Sequence, residues 1–184
     1  MKEETVVFGG GCFWCTEAVF KLLKGVVRVD PGFSGGTLEN PTSEQAYRDT
    51  TGHVEVARVE YDSTLISFRS LMTVFFGSHD ATQVDGQGYD RGPLYRSVIF
   101  FTTPAQEKEA HAFIRELQES APDGDPITTT VEPLTAFYPA EEYHKDFYEK
   151  GTMRPDYCQV IIAPKLQKVQ KEFAALLTKE SKPS

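Results

Sequence analysis

Two cysteines three residues apart mark the part of this chain best equipped for chemistry. The stretch Gly9-Gly10-Gly11-Cys12-Phe13-Trp14-Cys15-Thr16-Glu17 follows the apolar run Thr5-Val6-Val7-Phe8 and precedes Val19, Phe20, Leu22 and Leu23 at helical spacing. The pattern predicts a strand, a glycine turn and a helix that begins at Cys12. A helix start offers unpaired backbone N–H donors and the positive end of the dipole, so Cys12 is expected to be more acidic than a free thiol. Phe13 and Trp14 follow the thiol directly and read as walls of a pocket. Cys15 shares a helix face with Cys12, and a Cα separation of about 5 Å lies inside the disulfide window. The pair reads as a redox couple or as half of a zinc site. Zinc needs four ligands. The chain has no second C-x-x-C, and His53, His79, His111 and His144 are scattered, so no metal is expected. Cys158 stands alone after Gly151-Thr152-Met153-Arg154-Pro155. It reads either as a second redox thiol carried by a mobile segment or as a buried residue ahead of Val160-Ile161-Ile162.

Two other segments could contribute. Thr51-Gly52-His53-Val54-Glu55 sets an acid early in a strand behind a polar loop. Such a glutamate points into a pocket or lies exposed on the strand. The run from His79 to Arg96 concentrates acids, amides, glycines and tyrosines ahead of an apolar strand, as loops that line sites do.

The elements that must hold these residues alternate between strand and helix. Strands are predicted over 5–8, 26–29, 54–61, 95–101 and 127–131. Along 54–61, Val54 and Val56 share one face and Ala57, Val59 and Tyr61 the other. Helices are predicted over 13–24, 67–76, 103–120, 139–150 and 165–179, with Ser67 and Thr103 as N-caps, Pro104 at the first turn and Gly25 closing the first helix. The Gly- and Pro-rich stretch 31–51 reads as a long loop with one helical turn. The last helix places Leu166, Val169, Phe173, Leu176 and Leu177 on one stripe, and the tail 181–184 is expected to fray. This pattern indicates an α+β protein, a sheet with helices packed on it, forming a single domain over 1–184.

Composition narrows the function. The 184 residues are 40% hydrophobic and 12% aromatic, enough for one core without staples. A formal charge of −8 disfavours binding to the nucleic-acid backbone. Apolar runs fall short of membrane-spanning length, and the charged start Met1-Lys2-Glu3-Glu4 does not read as a signal peptide. Three cysteines fit a reducing compartment, and a cytoplasmic location is expected.

The chain resembles the A-type peptide-methionine sulfoxide reductases. The matching segments are GCFW at 11–14, GFSGG at 32–36, NPT at 40–42, TGHVEVARVEYD at 51–62, HDATQ at 79–83, QGYDRGPLYRSVIF at 87–100, ITTTVEPLTAFYPAEEYH at 127–144 and YCQVIIAPK at 157–165. They run in order through nearly the whole chain. The resemblance implies a two-layer α/β sandwich with a mixed sheet, and reduction of the S sulfoxide of methionine, free or in proteins. It implies Cys12 as nucleophile, Phe13 and Trp14 as the methyl pocket, Glu55 as proton donor, and Tyr95 and Asp90 on the polar side. It implies a sulfenic acid on Cys12, a disulfide formed by a second thiol, thioredoxin as reductant and no bound cofactor. A monomer is expected.

The chain departs from the family pattern at a few places. Cys15 replaces a glycine, Ser43 replaces a tyrosine after NPT, and Phe147 replaces a tyrosine. One C-terminal cysteine stands where a pair is common. Tyr47, four residues after Ser43, is a candidate for the displaced phenol. Position on the helix favours Cys15 as the resolving thiol. The resemblance favours Cys158, as do the space the substrate needs beside Cys12 and the flexible approach from Gly151 to Pro155. A general C-x-x-C thiol oxidoreductase or thiol peroxidase is the alternative, although such a protein needs no Phe-Trp pocket.

Overall fold

Val6 and Phe8 turn to one side of the first strand and Val7 to the other, and all three are buried. This alternation sets up two cores, one on each face of a sheet. The structure, a computed structural model, describes residues 1–48, 50–151 and 154–178. The strands are β1 (Glu3–Gly10), β2 (Val26–Ser34), β3 (Val54–Asp62), β4 (Gly86–Gln87), β5 (Asp90–Arg91), β6 (Ser97–Phe101), β7 (Thr130–Pro133) and β8 (Tyr138–Pro139). Six of them form one sheet in the order β7-β6-β1-β3-β2-β8, while β4 and β5 pair as a separate small hairpin. The β6–β7 pairing is parallel and the other ladders of the large sheet are antiparallel, so the sheet is mixed as expected.

The helices are α1 (Phe13–Lys21), α2 (Ser43–Ala46), α3 (Phe68–Ser78), α4 (Pro104–Ser120), α5 (Phe147–Lys150), α6 (Pro155–Tyr157) and α7 (Ala163–Glu172). The larger core takes Val19 and Phe20 from α1, Leu71 and Phe75 from α3, Phe113 from α4 and Val169 from α7, all against Phe8, Val59 and Tyr61 of the sheet. On the opposite face Val7, Val54, Val56, Val98 and Phe100 are covered by Leu134 and Phe137. The predicted division of the third strand into two apolar faces is therefore observed.

The predicted N-caps hold, but the first helix ends at Lys21 with Leu22 as its C-cap, so Gly25 does not close it. Ser67 accepts from the Ser70 amide at 3.1 Å, and Thr103 accepts from the Gln106 amide at 3.2 Å ahead of Pro104. Several boundaries move for physical reasons. The second strand does not stop at Val29 but continues through Pro31 and Gly32 to Ser34, because β3 pairs along its full length. The 31–51 loop therefore begins in the sheet, and its helical turn is α2. Tyr95 lies in a 3₁₀ turn over Pro93–Tyr95, ahead of the strand, and the strand predicted over 127–131 is displaced to Thr130–Pro133. The predicted helix over 139–150 is broken. Pro139 belongs to β8, Glu142–His144 is a single 3₁₀ turn, and Asp146 takes a left-handed φ of 54° before α5. The last helix ends at Glu172, and a 3₁₀ turn follows at Ala174–Leu176. Lys179 and the tail 181–184 lie outside the described residues.

Candidate active site

The strand-to-helix turn at Cys12 depends on Gly11. Its φ is +93°, and a Cβ there would sit 2.6 Å from Cβ of Gln87. Glycine meets both constraints, and the chain turns sharply enough for Cys12 to cap α1. The neighbouring strand β3 then brings Glu55 beneath the helix start. The Phe13 amide donates to Glu55 Oε2 at 2.9 Å, so the first free N–H of the helix is engaged by a carboxyl group. Glu55 is buried, with 2% of its surface exposed. Burial, with the charges of Asp90 and Cys15, pushes its acid up to about 8, against the Phe13 amide and the Tyr47 hydroxyl, which favour the carboxylate. Glu55 therefore holds a proton at neutral pH.

Cys12 is also buried, and the acidity expected of it is not found. Burial raises its thiol well above the ordinary range, helped by the hydrogen bond to Cys15. The helix-start donor that was to favour its thiolate serves Glu55 instead. The thiolate moves to Cys15, brought down to about 7 by the hydrogen bond from Cys12 and by the positive charge of Lys165 on α7. The Tyr157 hydroxyl donates to Asp90 Oδ2 at 3.2 Å and lies close to both thiols. Asp90 is raised by burial. Cys158, the other candidate resolving thiol, is buried in a π-helical turn over Cys158–Ile162 that joins α6 to α7. Its thiol is raised by burial and by the charge of Cys15.

The aromatic wall is held from outside. Trp14 stacks on Phe147 with centroids 3.7 Å apart and planes 4° apart, and Tyr157 meets its edge. The Trp14 indole N–H donates to His144 Nδ1 at 3.1 Å. That bond leaves the His144 proton on Nε2, 3.0 Å from Ser43 Oγ, and the Ser43 hydroxyl and amide donate to Glu141. Ser43 therefore supports the wall from behind. Phe13 is almost wholly buried against Phe33, Ala46 and Leu94, so its ring forms the floor of the site.

The phenol missing at residue 43 returns one helical turn later. A capping box between Thr42 and Gln45 fixes α2, and Tyr47 follows it with its hydroxyl directed at Glu55 and close to Tyr95 and Cys12. Burial raises this phenol. Tyr95 packs beside Phe13 and Leu94. The structure thus gathers Cys12, Glu55, Tyr95, Asp90, Phe13, Trp14 and Cys15 around one helix start, and sets Cys158 in the π-turn that precedes α7. Tyr47 had a sequence signal in its offset from Ser43. His144, Tyr157 and Lys165 stood within recognisable segments but carried no assigned role.

A cavity of about 220 Å³ opens beside the thiols, lined by Cys12, Cys15, Gln87, Asp90, Tyr157 and Lys165 among others. Among the described residues, no group of three or more His, Cys, Asp or Glu side chains is placed to hold a metal ion. No helix of those residues is long and apolar enough to cross a membrane. The two thiols, Asp90 and Tyr157 open onto this cavity, while Glu55 and Trp14 lie behind the helix start and do not line it.

Comparison with known proteins agrees with this chemistry. The family model described as peptide methionine sulfoxide reductase matches residues 4–177. The peptide methionine sulfoxide reductase MsrA of Saccharolobus solfataricus is 46% identical over 170 residues, covering 92% of this chain and 94% of its own. The reduced form of Mxr1 from Saccharomyces cerevisiae superposes with a TM-score of 0.77 at 32% identity, over 83% of this chain and 87% of that one. Mxr1 in complex with Trx2 superposes with a TM-score of 0.57 at 29% identity, over 78% of this chain and 84% of that one. A buried thiol at a helix start, a buried acid beside it and a near full-length family match place this chain in the peptide methionine sulfoxide reductase family.

Proposed function

We propose that the protein reduces the S epimer of methionine sulfoxide, free and in oxidised proteins, through Cys12, with thioredoxin as the reductant. The observation that carries this reading is the Glu55 carboxyl, buried and bonded to the amide that follows Cys12. A sulfoxide oxygen leaves poorly unless protonated, and Glu55 stores a proton at the required place. The substrate methyl group lies against Trp14, over the floor made by Phe13. The oxygen faces Glu55, with the hydroxyls of Tyr47 and Tyr95 beside it, and Asp90 with Tyr157 closes the polar side. The Cys12 sulfur attacks the sulfoxide sulfur as the Glu55 proton passes to oxygen. The proton lost by Cys12 restores Glu55. The net change is thiol plus sulfoxide to sulfenic acid plus thioether.

A second thiol, Cys15 or Cys158, then condenses with the sulfenic acid to give a disulfide and water. Dithiol exchange with thioredoxin restores the thiols. The Mxr1 complex with Trx2 supports that partner. No metal or organic cofactor enters any step. We further propose that the whole chain, 1–184, acts as a single monomeric domain in the cytoplasm, without nucleic-acid or membrane partners.

Family membership disfavours the alternative of a general C-x-x-C oxidoreductase, and the held Trp14 wall gives such an enzyme no advantage. The test is reduction of the separated S and R sulfoxide epimers of a blocked methionine, with thioredoxin and its reductase and NADPH consumption followed. Turnover of the S epimer alone is expected. Equal turnover of both epimers, or insulin disulfide reduction without sulfoxide reduction, would overturn the reading.

A further inference from the structure

One aromatic side chain beside the thiols stands almost wholly in water. Tyr89 is 92% exposed, and among the described residues no ring contact, hydrogen bond or ion pair engages it. Yet it lines the cavity that Cys12, Cys15, Asp90 and Tyr157 share. We propose that Tyr89 is a specificity-determining residue. Its ring takes a bulky apolar side chain next to the oxidised methionine of a protein substrate, so sulfoxides with such a neighbour are preferred. The inference rests on the sulfoxide-reductase reading and names the substrate class that the site favours.

The hairpin of β4 and β5 presents this ring. Gly86 pairs with Arg91 and Gln87 with Asp90, which leaves a two-residue turn of Gly88 and Tyr89. Gly88 has a φ of +60°, as the first turn residue of a type II′ hairpin requires. Such a turn needs a left-handed residue at that position alone, so a tyrosine can follow it. The turn is pinned by its own loop. The Gly88 amide donates to Gln83 Oε1 at 2.8 Å. The Gln87 side chain accepts from the Asp80 amide at 3.1 Å and donates to the Asp80 carbonyl at 2.9 Å. The Gly92 amide donates to the Asp85 carbonyl at 2.9 Å. A fixed backbone thus carries an unpartnered ring. Contact with an apolar group removes the ring face from water, and ordering a tyrosine costs little because it has only two side-chain torsions.

Its neighbours place the ring beside the path of a substrate chain. Asp90, next in sequence, is half-buried and accepts from Tyr157 on the polar side of the site. Gln87, on the other flank, packs against Gly11 at the turn that sets Cys12. A chain that leaves the sulfoxide on the polar side therefore crosses Tyr89. Ile161 of the π-turn lines the same cavity, and Val160 beside it is 69% exposed, so a second apolar surface borders the opening. Free methionine sulfoxide has no neighbouring side chain to offer either surface.

The test uses the full-length enzyme with dithiothreitol as reductant, which removes thioredoxin docking from the assay. The substrates are the S epimers of blocked methionine sulfoxide (MetO) and of the blocked tripeptides Gly-MetO-Gly, Phe-MetO-Gly and Gly-MetO-Phe. Turnover of blocked methionine sulfoxide by wild type reports the underlying reading. The ratio of kcat/KM between the better Phe peptide and the Gly peptide reports this proposal. In wild type that ratio is expected to be about fivefold, the scale of one aromatic pair. Tyr89→Ala should bring the ratio to one by raising KM for the Phe peptide, with kcat and the Gly peptide unchanged. Tyr89→Phe keeps the ring and should retain the ratio. A wild-type ratio of one, or a ratio that survives in Tyr89→Ala, would overturn the proposal while leaving the reading intact. So would a loss in Tyr89→Ala shared equally by every substrate, or one seen only when thioredoxin replaces dithiothreitol, which would assign the ring to docking of the reductant. Absence of turnover of blocked methionine sulfoxide by wild type would overturn the reading, and this proposal with it.

Discussion

At the scale of single residues, reactivity depends on where one proton resides. Glu55 keeps its proton because it is buried, and its acid lies up at about 8. Glu55→Gln preserves the fold and the bond from the Phe13 amide but has no transferable proton. Its kcat/KM should fall by about 10²–10⁴, the usual worth of a general acid, while wild-type kcat/KM should decline as pH rises through about 8. Near-wild-type turnover in Glu55→Gln would move the acid role elsewhere. Tyr47 donates to Glu55 and favours its carboxylate form. Tyr47→Phe removes that bond, so the alkaline decline should move to higher pH, with a loss in kcat/KM of about tenfold, the scale of one hydrogen bond. A pH profile that does not move would show that the phenol only fills space. Trp14→Ala should raise KM and reduce the preference for methyl over ethyl sulfoxides, because shape and apolar contact set that preference. Unchanged selectivity would assign the ring to packing alone.

The elements determine whether these residues meet. Gly11 turns the chain, α1 presents both thiols, β3 delivers Glu55, and the segment from His144 to Phe147 braces Trp14. That segment is tied to α1 by Glu17, which is buried and accepts the Asp146 amide at 2.9 Å, and by Lys21, which pairs with Asp146 and Glu149. Burial raises the Glu17 acid to about 7. An acid raised on folding contributes its full stability below its unfolded value of about 4.3 and loses it as pH rises towards the folded value. Glu17→Gln keeps an acceptor without the charge, so its Tm relative to wild type should be higher at pH 8 than at pH 5. A Tm difference independent of pH would refute this account of Glu17. These elements were unequally legible in the sequence. The Cys12 turn, the two faces of β3 and the caps of α3 and α4 follow from local pattern and were anticipated. The break at Asp146 was not, because its left-handed backbone is held by contacts with α1 more than a hundred residues away. The sheet order and the extension of β2 through Pro31 likewise depend on ladder partners that no local window contains.

At the scale of the molecule, Tyr157 of α6, the π-turn and α7 pack against α1, so one layer carries Cys12, Cys15 and Cys158. Residues whose roles depend on this packing, such as Tyr157 and Lys165, could not be placed from the sequence, whereas Cys12, Phe13 and Trp14 could. Cys158→Ser keeps the thiol, the acid and the aromatic wall, and should lose steady turnover with thioredoxin more than its first turnover. Equal losses in both would place Cys158 in the chemical step. The most direct measurement of the central claim is methionine released from one equivalent of the S sulfoxide without any external reductant, in wild type, Cys12→Ser and Cys158→Ser. Wild type and Cys158→Ser are expected to release a full equivalent at similar rates, and Cys12→Ser none. Release of methionine by Cys12→Ser at a rate near wild type would contradict the assignment of Cys12 as the attacking sulfur.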